Sequence, residues 1–112
     1  MKTLLDTLRE ICLALPEVRE TVKWGHPTFE AGKKMFAVLD EYDGRPCIAF
    51  RAPPEKLDAL LFDDLFFAAP YSAKHGWLCL FADGKIDREQ LQSLLRDSYC
   101  SVALKRMLAA LE

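Results

Sequence analysis

Three turn signals fall in quick succession between Val18 and Arg51, and they constrain this chain more than any other feature. They are Gly25-His26-Pro27, Ala31-Gly32-Lys33-Lys34 and Glu41-Tyr42-Asp43-Gly44. Glycine, proline and Asp-Gly punctuate chains at tight turns, and Asp-Gly in particular marks a two-residue hairpin. The intervening segments read as strands. Val18 to Trp24 partly alternates polar with apolar residues and carries β-branched Val18, Thr21 and Val22. On this reading Gly25-His26-Pro27 is a constrained corner, and Thr28 to Glu30 begins a second strand. Met35-Phe36-Ala37-Val38-Leu39 is apolar throughout and reads as a more central third strand. Pro46 to Arg51 returns as a fourth, with its proline at the start, where a missing N–H is tolerated.

Helical patterns flank this block. Leu4, Leu5, Leu8, Ile11, Cys12 and Leu15 recur at the spacing of an amphipathic helix; Thr3 with Asp6 three residues on suggests its cap, and Pro16 closes it. Ala52-Pro53-Pro54 resets the chain, and Leu57, Leu60 and Leu61 stripe a short helix that Phe62-Asp63-Asp64 ends. Leu65 to Ala68 and Trp77 to Phe81 read as two further strands, with Pro70 to Gly76 a loop between them and Asp83-Gly84 a turn after them. Asp87 followed by Gln90 resembles a capping box ahead of Leu91, Leu94 and Leu95. Ser98 restarts a last helix bearing Val102, Met107, Leu108 and Leu111. Grouped strands with hairpin turns, in place of strict βαβ alternation, predict an α+β fold. Its order is one helix, three to four strands, a helix, two strands and a helical C-terminus, with helices against one face of an antiparallel sheet.

At 112 residues the whole chain, 1–112, reads as one domain. Folding at this size buries roughly two-thirds of the surface that the unfolded chain exposes, so neither disulfide nor metal is needed as a staple. Cys12, Cys47, Cys79 and Cys100 are far apart, form no CxxC pair and sit among apolar neighbours, as buried reduced thiols do. No metal site, cofactor or membrane span is indicated. Asp6, Arg9 and Glu10 interrupt the N-terminal apolar pattern, unlike a signal peptide, so a cytoplasmic protein is expected. A net charge of -2 gives no general attraction to nucleic acid. There is no Walker A loop, GxGxxG, GxSxG, HExxH or EF-hand pattern, and the residues do not point to an enzyme.

Two sets of residues carry what functional signal there is. His26, between Gly25 and Pro27, either presents its imidazole to a ligand or hydrogen-bonds a backbone group and fixes the corner; the second role is the default. Trp24, Phe29, Tyr71 and Trp77 either stack a flat ligand or belong to core and rim, with Trp24 and Tyr71 expected to be the exposed ones. Together Trp24, His26, Tyr71, His75 and Trp77 form a candidate pocket. The second set is basic: Lys33 and Lys34 at a hairpin tip, Lys74 in the later loop, and Lys23. Lysines so placed reach phosphate oxygens or simply keep a turn soluble. Asp40, Glu41 and Asp43 make the other hairpin acidic around Arg45.

Taken in order, Leu15-Pro16-Glu17, Lys23-Trp24-Gly25-His26-Pro27-Thr28-Phe29, Gly32-Lys33-Lys34-Met35-Phe36-Ala37, Ala69-Pro70-Tyr71, Lys74-His75-Gly76-Trp77 and Leu94-Leu95 through Ser98-Tyr99 resemble MmcQ/YjbR-like proteins. The resemblance spans nearly the entire chain. It implies a small α+β architecture similar to that of secretion chaperones. It also implies a DNA-binding protein that contacts DNA through two hairpin wings, with Lys23, Lys33, Lys34 and Lys74 on the phosphates. A small-molecule ligand or a protein partner is the alternative, and the oligomeric state is left open.

Overall fold

The computed structural model describes residues 2–68 and 76–111. Its centre is a meander of four consecutive antiparallel strands: β1 (Arg19–Lys23), β2 (His26–Ala31), β3 (Lys34–Tyr42) and β4 (Arg45–Arg51). Two of the turns place both central residues in the left-handed region, Trp24 (φ 51°) with Gly25 (φ 80°) and Asp43 (φ 54°) with Gly44 (φ 76°). That is the turn whose twist matches a hairpin, and it favours glycine at the second position. The first corner is therefore Trp24-Gly25, not Gly25-His26-Pro27, because His26 and Pro27 already belong to β2. Pro27 fits there for a specific reason. Lys23 and His26 close the hairpin as a hydrogen-bonded pair, so the next pair, Val22 with Pro27, exchanges no bonds, and the ladder to β3 begins only at Thr28.

After β4 a 3₁₀ turn (Pro54–Lys56) runs into α2 (Leu57–Leu61), and β5 (Phe66–Ala68) and β6 (Trp77–Phe81) complete a six-stranded sheet of order β1-β2-β3-β4-β6-β5. The remaining helices are α1 (Leu4–Cys12), α3 (Arg88–Val102) and α4 (Lys105–Leu111). Thr3 and Asp6 form a reciprocal capping box on α1, and Asp87 accepts from the Glu89 and Gln90 amides at the start of α3. Leu8, Ile11 and Cys12 of α1, Leu91, Leu94, Leu95 and Tyr99 of α3, and Met107 of α4 pack with Phe29, Phe36, Ile48, Phe50, Leu78 and Leu80 of the sheet. The helices thus cover one sheet face, the architecture that the grouping of strands and helices predicts. Among the described residues no helix is long and apolar enough to cross a membrane.

A bulge between Phe29 and Glu30 shifts the β2–β3 register and leaves Phe36 without a cross-strand partner. Helix α3 supplies what the ladder omits. The Ser98 hydroxyl, fully buried, donates to the Phe36 carbonyl at 2.6 Å and accepts from the Arg51 amide at 2.9 Å, tying β3 to β4. Ser98 therefore does not restart a helix. It lies well inside α3, which ends at Val102 where Ala103 turns extended (φ -66°, ψ 146°). Next to it, Tyr99 donates from its hydroxyl to the Pro16 carbonyl at 2.7 Å and sets its ring edge-on to Phe36. Cys12, Cys47 and Cys79 are buried as expected, but Cys100 is exposed, because it falls on the side of α3 turned away from the sheet.

Candidate functional site

The sheet face opposite the helices bears the first candidate site. Period-two alternation places Thr28, Val38, Ala49 and Cys79 side by side across four strands, with Asp40 and Cys47 in the neighbouring row. Small side chains leave a hollow there of about 200 Å³. Met35, Trp77, Phe67, Tyr42, His26, Trp24 and Lys23 wall it, with the Tyr42 and Phe67 rings 4.8 Å apart between centres. Trp24, His26 and Trp77, expected to form a pocket, do come together. Tyr71 and His75 lie outside the described residues. The two tryptophans differ sharply, since Trp24 on its turn is 86% exposed while Trp77 is 6% exposed with the Arg51 guanidinium 4.9 Å from its ring centre.

The polar groups of the hollow are mostly occupied with one another. His26 Nε2 lies 3.3 Å from Asp40 Oδ1, which also accepts from the Glu41 amide at 2.7 Å. Thr28 donates to the His26 carbonyl. Cys47 and Cys79, diagonal neighbours on β4 and β6, bring their thiols into interaction. That interaction draws the Cys47 thiol below its ordinary value and pushes Cys79 up, burial adding to the rise. Among the described residues no group of three or more His, Cys, Asp or Glu side chains is arranged to hold a metal ion. Sequence reasoning missed Asp40 and the thiol pair as neighbours of His26. The signal was available in part, since any pairing of Thr28 with Val38 puts His26 opposite Asp40.

A second candidate lies at the β2–β3 turn. Gly32 (φ 60°) sits so tightly against the α3–α4 junction that a Cβ there would meet the Val102 carbonyl oxygen at 3.0 Å and Leu104 Cγ at 3.5 Å. Arg19 donates from its guanidinium to the Gly32 carbonyl at 2.8 Å. Arg19, Lys33, Lys34 and Lys105 are all exposed around this glycine. Among the described residues none of the three lysines is ion-paired. Lys23 does not join them. It leaves the sheet at the opposite end of β2, roughly 20 Å away by strand rise, and its ammonium lies 3.1 Å from Glu30. Lys74 lies outside the described residues. At the Asp43-Gly44 end Arg45 reaches past its own hairpin to Asp83 at 2.6 Å, an ion pair that holds the Asp83 carboxyl below its ordinary value.

An antiparallel meander continued through β6 and β5, with the described helices packed on one face and a small hollow on the other, defines a two-layer α+β fold. The YjbR family model matches residues 13–101, and the chain belongs to the YjbR family. Among solved structures it is similar to Deinococcus radiodurans protein DR2400, described as carrying a DUF419 domain. The TM-score is 0.77 and the identity 26%, over 99% of this chain and 88% of that one. A protein from Pseudomonas syringae shares the fold at a TM-score of 0.64 and 17% identity, over 78% of this chain and 88% of that one. No curated protein matches.

Proposed function

We propose that the protein is a DNA-binding module that contacts backbone phosphates from the β2–β3 turn, with Lys33 and Lys34 joined by Arg19 and Lys105. The observation that supports this reading is the packing of Val102 and Leu104 on Gly32, which brings cations distant in the sequence to one end of the fold. A chain of net charge -2 needs such a concentration if it is to hold a polyanion. Lys23 contributes little here, since Glu30 already neutralises it.

Four phosphate contacts predict a slope of about -3 to -4 in log affinity against log salt, or roughly 150-fold weaker binding at 200 mM than at 50 mM salt. Fluorescence anisotropy with a labelled duplex measures this directly. Lys33→Ala with Lys34→Ala should lower the slope by about 2, and Lys105→Glu should weaken binding in the same assay. No binding at 50 mM salt, or binding indifferent to the three lysines, overturns the reading.

A further inference from the structure

The hollow on the sheet face opposite the helices has a size and a chemistry that the phosphate-contacting end does not use. We propose that it is a binding site for a small uncharged aromatic heterocycle carrying one N–H donor. Volume makes the first part of the argument. A closed apolar cavity of about 150 Å³ accommodates benzene, so a hollow of about 200 Å³ suits one ring or a compact fused pair. It is below the several hundred Å³ typical of sites for larger ligands.

Lining chemistry makes the second part. Met35, Val38, Ala49, Phe67 and Trp77 offer apolar and aromatic surface, on which a flat ring stacks or packs edge-on. Of the polar groups near the hollow, Lys23 meets Glu30 and His26 lies against Asp40, while Glu41 stands at the edge. Arg51, beside Trp77, donates to the Met35 carbonyl at 3.1 Å. An anion would face the Asp40 and Glu41 carboxylates, whereas a neutral ring leaves the Lys23–Glu30, His26–Asp40 and Arg51–Met35 contacts in place. One acceptor is spare. Asp40 directs Oδ1 to His26 and to the Glu41 amide, and among the described residues nothing donates to its Oδ2. A ring N–H that reaches Oδ2 makes a charge-assisted hydrogen bond, the stronger kind. Trp24 stands exposed at the rim in a left-handed conformation that a bulky side chain rarely adopts. A second aromatic face is thereby held where an incoming ring would meet it.

Indole and 1-methylindole separate the two parts of the proposal, being nearly equal in apolar surface but differing in the N–H. Titrated into the full chain and followed by amide NMR, indole should shift resonances of Val38, Ala49 and Cys79 saturably. It should bind at least tenfold more tightly than 1-methylindole, equivalent to about 1.4 kcal/mol. Asp40→Asn, nearly isosteric, should narrow that ratio to about threefold or less. Ala49→Leu, filling the floor, should abolish binding of both while the rest of the amide spectrum is kept. The proposal is overturned by equal affinity for the two probes on the natural chain, by no saturable binding, or by shifts confined to the helix-covered face. Those comparisons on the natural chain decide the matter even if Ala49→Leu fails to fold.

Discussion

Replacing Gly32 by alanine tests how the fold assembles its basic end. Two costs are superposed at this position. A Cβ at φ 60° costs about 1–2 kcal/mol relative to glycine, from contact with its own backbone. The same Cβ also meets the Val102 carbonyl oxygen at 3.0 Å. That atom is backbone and cannot rotate aside, so either the β2–β3 turn or the start of α4 must shift, and such overpacking costs a further 1–3 kcal/mol or so. A total of about 2–5 kcal/mol corresponds, for a chain of this length, to a fall in Tm of roughly 8–20 °C. Gly25→Ala is the internal control. Gly25 has φ 80° but nothing within 4 Å of a built Cβ, so only the conformational cost applies and Tm should fall by roughly 4–8 °C. Scanning calorimetry on both variants beside the natural chain gives the comparison. Equal losses at the two positions would refute the claim that the α3–α4 junction presses on the turn, and with it the reason for placing Lys105 beside Lys33 and Lys34.

Ser98→Ala removes the donor to the Phe36 carbonyl and the acceptor for the Arg51 amide together; urea unfolding should show a loss of about 2–4 kcal/mol, and a loss below about 0.5 would mean that water replaces the hydroxyl. Trp24→Asn should raise stability by about 1 kcal/mol, because asparagine tolerates the left-handed region and little burial is lost at this exposed position; a fall in Tm contradicts the reading of strain. Only Cys100 should react promptly with a thiol reagent in the native protein, and all four cysteines after unfolding. Burial pushes the Cys12 thiol from 9.0 up to about 12. The folded chain therefore keeps a proton that the unfolded chain releases, and stability should hold below pH 9 and decline between about pH 9 and 12. The Cys12 share of the slope approaches about 1.4 kcal/mol per pH unit, and Cys12→Ala should remove that share.

The hairpins were legible because their signals are local: Asp43-Gly44 specifies a turn by itself, and Thr3 with Asp6 specifies a cap. Trp24-Gly25 was misread by one residue because Pro27 normally breaks a strand, and only the register shows that its missing N–H faces no ladder. Ser98 was misread for a related reason. Serine favours helix starts in isolation, yet here its hydroxyl completes a bulged sheet distant in sequence, a demand that no local pattern expresses. The candidate pocket was half legible, since Trp24, His26 and Trp77 stand out by type. Val38, Ala49 and Cys79 look like ordinary core, and they line the hollow because none of the described helices packs on their face. Lys105 beside Gly32 had no sequence signal at all, since its place depends on the chain turning at Ala103.

The outermost strand β1 has a consequence for how copies of this protein behave toward each other. A terminal strand normally presents unpaired backbone groups that invite another chain to extend the sheet. Here the side chains of that strand are engaged within their own molecule: Arg19 with the Gly32 carbonyl, Glu20 with Arg9 at 2.8 Å, and Lys23 with Glu30. An invading strand would lay its own residues beside the Arg9–Glu20 and Lys23–Glu30 ion pairs and would disturb them. Committed charge at β1 thus works against extension of the sheet along that edge.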